Sequence, residues 1–256
     1  MQLVILAGGR GTRISEESYL RPKPLIEIGG KPIIWHIMKY YSGHGINDFV
    51  ICCGYKSESL KEYFTNYGLH SSDMTVDISK NKILYHKRSD EKWKVTLIDT
   101  GLDTQTGGRL KRVKKYLKNT FCFTYGDGLS NVDIKSQIKF HIKHKKKASM
   151  TIVQPIGRFG AVQVKNNMIS SFLEKPIGDG GWINGGFFIL NKEVLNYIKD
   201  DNTVWEQSPL VNLADDKELM AFKHKGFWHP MDTIRDKEYL EDVWNSSSCP
   251  WKNWDD

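Results

Sequence analysis

A chain that opens Leu3-Val-Ile-Leu-Ala-Gly-Gly-Arg-Gly-Thr-Arg-Ile14 and then places Lys23 between Pro22 and Pro24 has few folds open to it. The unbroken apolar run has the composition of a strand buried on both faces, the kind found in the middle of a parallel sheet. Gly8, Gly9 and Gly11 let the backbone turn at the strand's end and bring its N–H groups close to a bulky anion. Thr12 adds a hydroxyl, Arg13 a planar fork suited to phosphate oxygens, and Lys23 a compact ammonium whose neighbours the two prolines stiffen. Together they suit a nucleoside triphosphate. A turn of purely structural use would need the glycines but not the three polar side chains.

The spacing excludes two common phosphate loops. Counted from Gly9, the dinucleotide pattern requires glycine where Ile14 stands, and counted from Gly8 the P-loop requires glycine where Arg13 stands. The loop instead resembles, residue for residue, the L-A-G-G-x-G-T-R…K-P signature of the sugar-phosphate nucleotidyltransferases. Arg10 fills a variable place where an apolar residue is expected.

Apolar runs alternate with helical patterns along the first 150 or so residues, the mark of a doubly wound α/β sheet. Strands are expected near 2–6, 48–53, 95–99, 121–125 and 148–153, and helices near 32–43, 57–65, 108–117 and 133–144. Pro32, Ser57 and Asp133 suit helix starts. Beyond residue 154 the runs are shorter and richer in glycine, with strands expected at 159–164, 169–173 and 185–190 that complete one mixed, mostly parallel sheet. A last helix near 235–246 precedes Pro250-Trp-Lys-Asn-Trp254, an aromatic tail expected to pack on the domain or on another subunit. One domain, 1–256, is expected, with a nucleotide half at 1–154 and a sugar-phosphate half at 155–256. A homo-oligomer is expected as well.

The ligand crevice of such a sheet lies beyond the C-terminal ends of its strands, where both Gly8–Arg13 and Gly126-Asp127-Gly128 fall. Asp127 projects there from a strand end, and Asp232 stands just ahead of the last helix. The two carboxylates suit a Mg²⁺ ion completed by phosphates and water. Asp232 would serve equally as a helix N-cap.

Composition removes other classes of function. The chain carries 37 Lys and Arg against 30 Asp and Glu, a net charge of +7. Its densest basic run, Lys143-His-Lys-Lys-Lys147, closes an expected helix, where cations offset the dipole, so a nucleic-acid partner is not expected. His141 and His144 read as a solvated helix face, not as metal ligands. No apolar stretch approaches the roughly 20 residues that cross a bilayer, so no membrane partner is expected. The N-terminus reads as a strand, not a signal peptide. The four cysteines, Cys52, Cys53, Cys122 and Cys249, form no C-x-x-C pair, and reduced cytoplasmic thiols are the simple expectation.

The resemblance extends along the chain through Glu174-Lys-Pro176, Ile183-Asn-Gly-Gly-Phe-Phe188 and Trp205-Glu206, although Val204 stands where a threonine is common. Thr106-Gly-Gly-Arg-Leu-Lys-Arg-Val113, Gly226-Phe-Trp-His-Pro-Met-Asp-Thr233 and the aromatic tail point to the branch of the family that works on CTP and glucose 1-phosphate.

The resemblance implies formation of CDP-glucose and pyrophosphate, with a place in the supply of deoxysugars for bacterial surface polysaccharides such as lipopolysaccharide O-antigen. It implies nucleotide contacts from Leu6, Ala7, Gly8, Gly9, Arg10, Gly11, Thr12, Arg13, Lys23, Thr104, Arg109 and Gly126, with Lys23 and Arg13 the catalytic cations. It implies sugar-phosphate contacts from Glu174, Lys175, Asn184, Gly185, Trp205 and Glu206, and Mg²⁺ on Asp127 and Asp232. Read from the residues alone, Arg109 is also an ordinary exposed helix residue, Asn184 a turn former and Trp205 a core residue. By the same measure Glu174 and Lys175 are a surface ion pair. Cytosine over uracil or thymine rests on the resemblance only.

Overall fold

A computed structural model describes residues 1–86, 91–155, 161–173 and 181–254. Seven strands form the central sheet: β1 (Leu3–Ala7), β2 (Asp48–Cys53), β3 (Lys94–Asp99), β4 (Thr120–Tyr125), β5 (Ala148–Val153), β6 (Ile183–Asn191) and β7 (Leu219–Lys223), in the spatial order β7-β5-β6-β4-β1-β2-β3. All neighbours run parallel except β6, which is antiparallel to both β4 and β5. The parallel run β3-β2-β1-β4 places β1 at the middle, with the chain leaving to one side through β2 and returning on the other through β4. Its C-terminal edge is therefore the crevice. Antiparallel β6 brings its N-terminal end to that same edge, in register from Phe187 opposite Thr124 to Asn191 opposite Thr120.

Among the described residues, six helices of seven or more residues cover the sheet: α1 (Ile33–Gly43), α2 (Ser57–Thr65), α3 (Thr106–Arg112), α4 (Ile134–His144), α5 (Ser208–Asp215) and α6 (Ile234–Asn245). Side chains alternate across β1 as the pleat requires. Leu3 and Ile5 enter one core with Ile33, Ile37, Met38 and Tyr41 of α1, Leu240 of α6 and Trp251. Val4 and Leu6 enter the other with Leu110 of α3, Leu213 of α5, Phe123, Phe188 and Trp205. Two dry faces on one strand explain the unbroken apolar run.

The expected strands and helices of the first 150 residues are present within a few residues of their expected ends. Asp133 is an N-cap accepting from the Ser136 N–H. Ser57 is the first helical residue after a left-handed Lys56, and Pro32 sits just before α1. The tail packs on its own domain: Trp251 is fully buried, its indole N–H donates to His36 Nδ1 at 3.3 Å, and the Trp254 ring meets Trp35 edge-on at 5.6 Å.

Two expectations need correction. The strands Ala161–Lys165 and Met168–Leu173 pair with each other in a two-stranded ribbon and do not extend the main sheet, whereas β6 does join it. His141 is not solvated: α4 turns it onto the sheet, where its ring nitrogens meet Ser149 Oγ at 2.9 Å and Asn191 Oδ1 at 3.1 Å. Its neighbour His144 binds the same Ser149 hydroxyl at 2.6 Å. Burial lowers the pKa of both rings below the ordinary histidine value, and these hydroxyl and amide partners serve neutral imidazoles. The structure adds β7, α5 and three ribbons not expected from the sequence, Glu27–Ile28 with Lys31–Pro32, Met74–Asp77 with Lys82–Tyr85, and Gly128–Ser130 with Trp228–Pro230.

Candidate active site

At the C-terminal end of β1 the chain turns through Gly8 to Gly11 and re-enters as a short 3-10 turn, Thr12–Ile14, anchored by Ile14 in the core. Leu6 and Ala7 point into the cores, so only their backbones can face a ligand. Gly8 is buried, while Gly9, Arg10, Thr12 and Arg13 are exposed along the rim. The loop is held from behind. The Gly8 carbonyl accepts from Tyr55 N–H at 3.1 Å, the Gly11 carbonyl accepts from Ser18 Oγ at 2.9 Å, and Gly126 N–H donates to the Leu6 carbonyl at 2.9 Å. That last bond ties the ends of β1 and β4 together. Arg10 reaches across to Asp103 at 2.9 Å, a solvent-exposed pair.

Lys23 starts a second 3-10 turn, Lys23–Leu25, whose residues are all buried. Its ammonium lies 2.6 Å from Asp127 Oδ2 and 2.8 Å from Asp232 Oδ1. Arg13 Nη1 approaches the other oxygen of Asp232 at 2.6 Å. Residues separated by more than 200 positions thus meet at one point. Burial of the Lys23 ammonium works against its charge, yet attraction to Asp127 and Asp232 and the hydrogen bonds it donates to them outweigh it and raise its pKa above the ordinary lysine value. The ammonium is firmly charged.

Asp127 follows Gly126 off the end of β4, and its carbonyl accepts from Met231 N–H at 2.8 Å, which clips the 230–233 segment beside it. The helix-cap role open to Asp232 belongs to Thr233: its hydroxyl accepts from Asp236 N–H at 3.3 Å, and Asp236 Oδ2 accepts in return from Thr233 N–H at 2.8 Å. Asp236 also accepts from the backbone N–H of Asp232 at 3.0 Å. The Asp232 carboxylate is left to face the cleft. Among the described residues no cluster of three or more His, Cys, Asp or Glu forms a closed metal cage. The two carboxylates converge on the Lys23 ammonium, and Arg13 takes the second oxygen of Asp232. As oxygen donors on one side of a cleft they fit a hard cation that phosphates and water complete, provided it shares them with these two cations.

Arg109, from α3, takes a different position from that of an exposed helix residue. Its guanidinium is buried under the loop and donates to Thr100 Oγ1 at 2.8 Å, the Gly101 carbonyl at 2.7 Å and the carbonyls of Cys53 and Leu102 at 3.2 and 3.1 Å. A side chain at Gly8 would collide with it, a Cβ there lying 2.2 Å from Arg109 Nη1. Arg109 therefore binds the ends of β2 and β3 to the floor of the loop. Thr104 is buried in the same segment.

On the far side of the cleft, Asn184 and Gly185 begin β6, and Glu206 follows Trp205 ahead of α5. Trp205 is fully buried against Phe123 and Phe188, in the position of a core residue. The Gly185 carbonyl accepts from the Trp228 indole at 2.7 Å. Both Glu206 oxygens are engaged, Oε1 by the Tyr125 hydroxyl at 2.5 Å and Oε2 by the Thr106 hydroxyl at 2.7 Å. Asn184 Nδ2 donates to the same Tyr125 oxygen at 3.3 Å. Tyr125 carries no expected site role, its signal in the sequence being its place at the end of an expected strand directly before Gly126-Asp127. Glu174 and Lys175 lie outside the described residues.

Comparison with known proteins shows the family. The family model described as nucleotidyl transferase matches residues 2–232. Glucose-1-phosphate cytidylyltransferases of Salmonella typhimurium and Salmonella typhi are each 57% identical over 257 residues, covering 100% of both chains. Among solved structures, HddC from Yersinia pseudotuberculosis superposes with a TM-score of 0.69 at 24% identity, covering 95% of this chain and 99% of its own, which shows the shared fold. No helix among the described residues is long and apolar enough to cross a membrane. With its glycine loop, its Lys23-bridged carboxylates and its match along the full length, the chain belongs to the nucleotidyl transferase family, within the glucose-1-phosphate cytidylyltransferase branch.

Proposed function

We infer that the chain transfers the cytidylyl group of CTP to α-D-glucose 1-phosphate, giving CDP-glucose and pyrophosphate. The carrying observation is the meeting of Lys23, Arg13, Asp127 and Asp232 at the mouth of the glycine loop, and the substrates follow from the full-length likeness to cytidylyltransferases. An oxygen of the sugar phosphate attacks the α-phosphorus of CTP in line with the departing pyrophosphate. Attacking and leaving groups are both anionic, so catalysis is mainly positioning and charge neutralisation. The attacking phosphate is ionised at neutral pH and needs no general base.

Asp127 and Asp232 are the residues that would hold the cation. A Mg²⁺ ion on those carboxylates would supply an electrophilic anchor for phosphate oxygens. Lys23 contributes a charged donor that the carboxylates keep aimed into the cleft, for the α-phosphate. Arg13, on the exposed rim, suits the pyrophosphate with its planar fork, beside the N–H groups of Gly8 to Thr12. Arg109 and Thr104 act from beneath, by fixing the loop floor on the base side. Asn184, Gly185 and Glu206 face the sugar, whose hydroxyls need fixed donors and acceptors. Residues 1–154 thus supply the nucleotide side and residues 155–256 the sugar side. A product of this class feeds deoxysugar synthesis for surface polysaccharides.

The test is pyrophosphate release from each of the common nucleoside triphosphates with glucose 1-phosphate. Release with CTP alone, dependent on a divalent cation, is expected. Equal release with UTP or dTTP would move the chain to another branch, and CTP binding without release would make it a nucleotide-binding subunit.

A further inference from the structure

The Glu206 carboxylate is exposed, and an exposed carboxylate on a rotatable stem is a poor sugar ligand unless something fixes it. Two hydroxyls do so. Tyr125 Oη donates to Oε1 at 2.5 Å and Thr106 Oγ1 to Oε2 at 2.7 Å, while Thr106 also accepts from the backbone N–H of Trp205 at 2.9 Å. Tyr125 is itself fixed. Its ring meets Phe123 and Phe188 edge-on at 6.0 and 6.2 Å, and it lies so close to Gly186, at φ +81°, that a Cβ there would sit 2.7 Å from the ring. The side-chain oxygen Oδ1 of Asn184 accepts from Gly186 N–H at 2.8 Å, so the side-chain NH₂ is turned toward the Tyr125 oxygen.

We propose that Tyr125 and Thr106 are positioning residues for glucose 1-phosphate: their hydroxyls clamp the two oxygens of Glu206 and, through Tyr125, orient Asn184, so that both present a fixed edge to the sugar. The clamp links the two sides of the cleft. Tyr125 stands two residues before Asp127 on β4, and Thr106 stands three residues before Arg109 on α3, so the sugar-side acceptor is referenced to the elements that carry the metal carboxylate and the loop floor. With both oxygens already accepting from protein, Glu206 offers the sugar its remaining lone pairs in fixed directions. This inference rests on the proposed sugar-side role of Glu206.

Tyr125→Phe keeps the ring and removes only the hydroxyl, and Thr106→Val removes the other donor. Each is expected to raise the KM for glucose 1-phosphate by about tenfold, the loss of one hydrogen bond to a charged group, while leaving the KM for CTP within about twofold. The melting temperature should stay nearly unchanged in Tyr125→Phe and fall in Thr106→Val, where the Trp205 N–H also loses its acceptor. In the Glu206→Gln background, Tyr125→Phe is expected to add little, because the two act as one unit. Glu206→Gln alone separates the failures. If it raises the sugar KM but Tyr125→Phe and Thr106→Val do not, the clamp is wrong and the sugar-side reading stands. If Glu206→Gln leaves the sugar KM unmoved, the sugar-side reading falls and the clamp with it. A rise in both KM values together with a lower melting temperature in Tyr125→Phe would reduce the tyrosine to a structural role and overturn the proposal.

Discussion

In the proposed reaction Lys23 is both structural and chemical. Buried in its 3-10 turn, its ammonium is the counter-charge that lets Asp127 and Asp232 stand close together. Lys23→Ala is expected to cut turnover by about 10²- to 10³-fold, as loss of a preorganised charge in a phosphoryl-transfer site does. Lys23→Arg should rescue poorly, since a planar fork cannot place one donor between two carboxylates as a compact ammonium does. Steady-state pyrophosphate release measures both. If Asp127 and Asp232 serve one Mg²⁺ ion as proposed, Asp127→Asn and Asp232→Asn should each raise the Mg²⁺ concentration needed for half-maximal rate, and the double variant should be little worse than either. A magnesium titration of the three variants checks this.

Among the elements, α6 carries a duty beyond packing. Its capping box satisfies the first turn of the helix, and the same Asp236 carboxylate holds the backbone of Asp232. Burial pushes the Asp236 carboxyl up, but hydrogen bonds from Thr233 and His229 outweigh it and bring its pKa below the usual aspartate value, so the cap is anionic at neutral pH. Asp236→Ala should cost about 1 kcal/mol, seen as a melting temperature lowered by about 2–4 °C. The variant should also need more Mg²⁺, because the 230–233 segment loses its anchor. A stability loss with unchanged magnesium dependence would separate the cap from the site.

On the scale of the whole molecule, the aromatic tail closes one core. His36 is the joint: its Nε2–H donates to the Ile28 carbonyl at 2.8 Å while Nδ1 accepts from the Trp251 indole, a pattern only the neutral ring can make. Burial accordingly pushes its pKa down to about 4. Between about pH 6.5 and 4 the unfolded chain binds the proton and the folded chain does not, so stability is full above that window and falls as pH drops through it, by about 3 kcal/mol from this group. Urea unfolding at pH 7 and pH 4.5 should show a smaller pH-dependent loss for His36→Gln than for the unaltered chain.

Which parts were legible beforehand follows from how local each signal is. The apolar run of β1, the helix starts and the glycine loop are contiguous, and contiguous residues fix backbone geometry through propensity and pleat alternation. Asp127 and Asp232 could be picked out because each sits at an element end, but that one ammonium binds both depends on the sheet order and on α6 being capped by Thr233 instead. Tertiary packing likewise buried His141, drew Arg109 beneath the loop and put Trp205 in the core, since burial is set by what lies across the gap and not by chain neighbours. Tyr125 reads locally as one more strand aromatic. Only the antiparallel entry of β6, which brings Asn184 to the C-terminal end of β4, and the approach of Glu206 from before α5 give its hydroxyl something to hold.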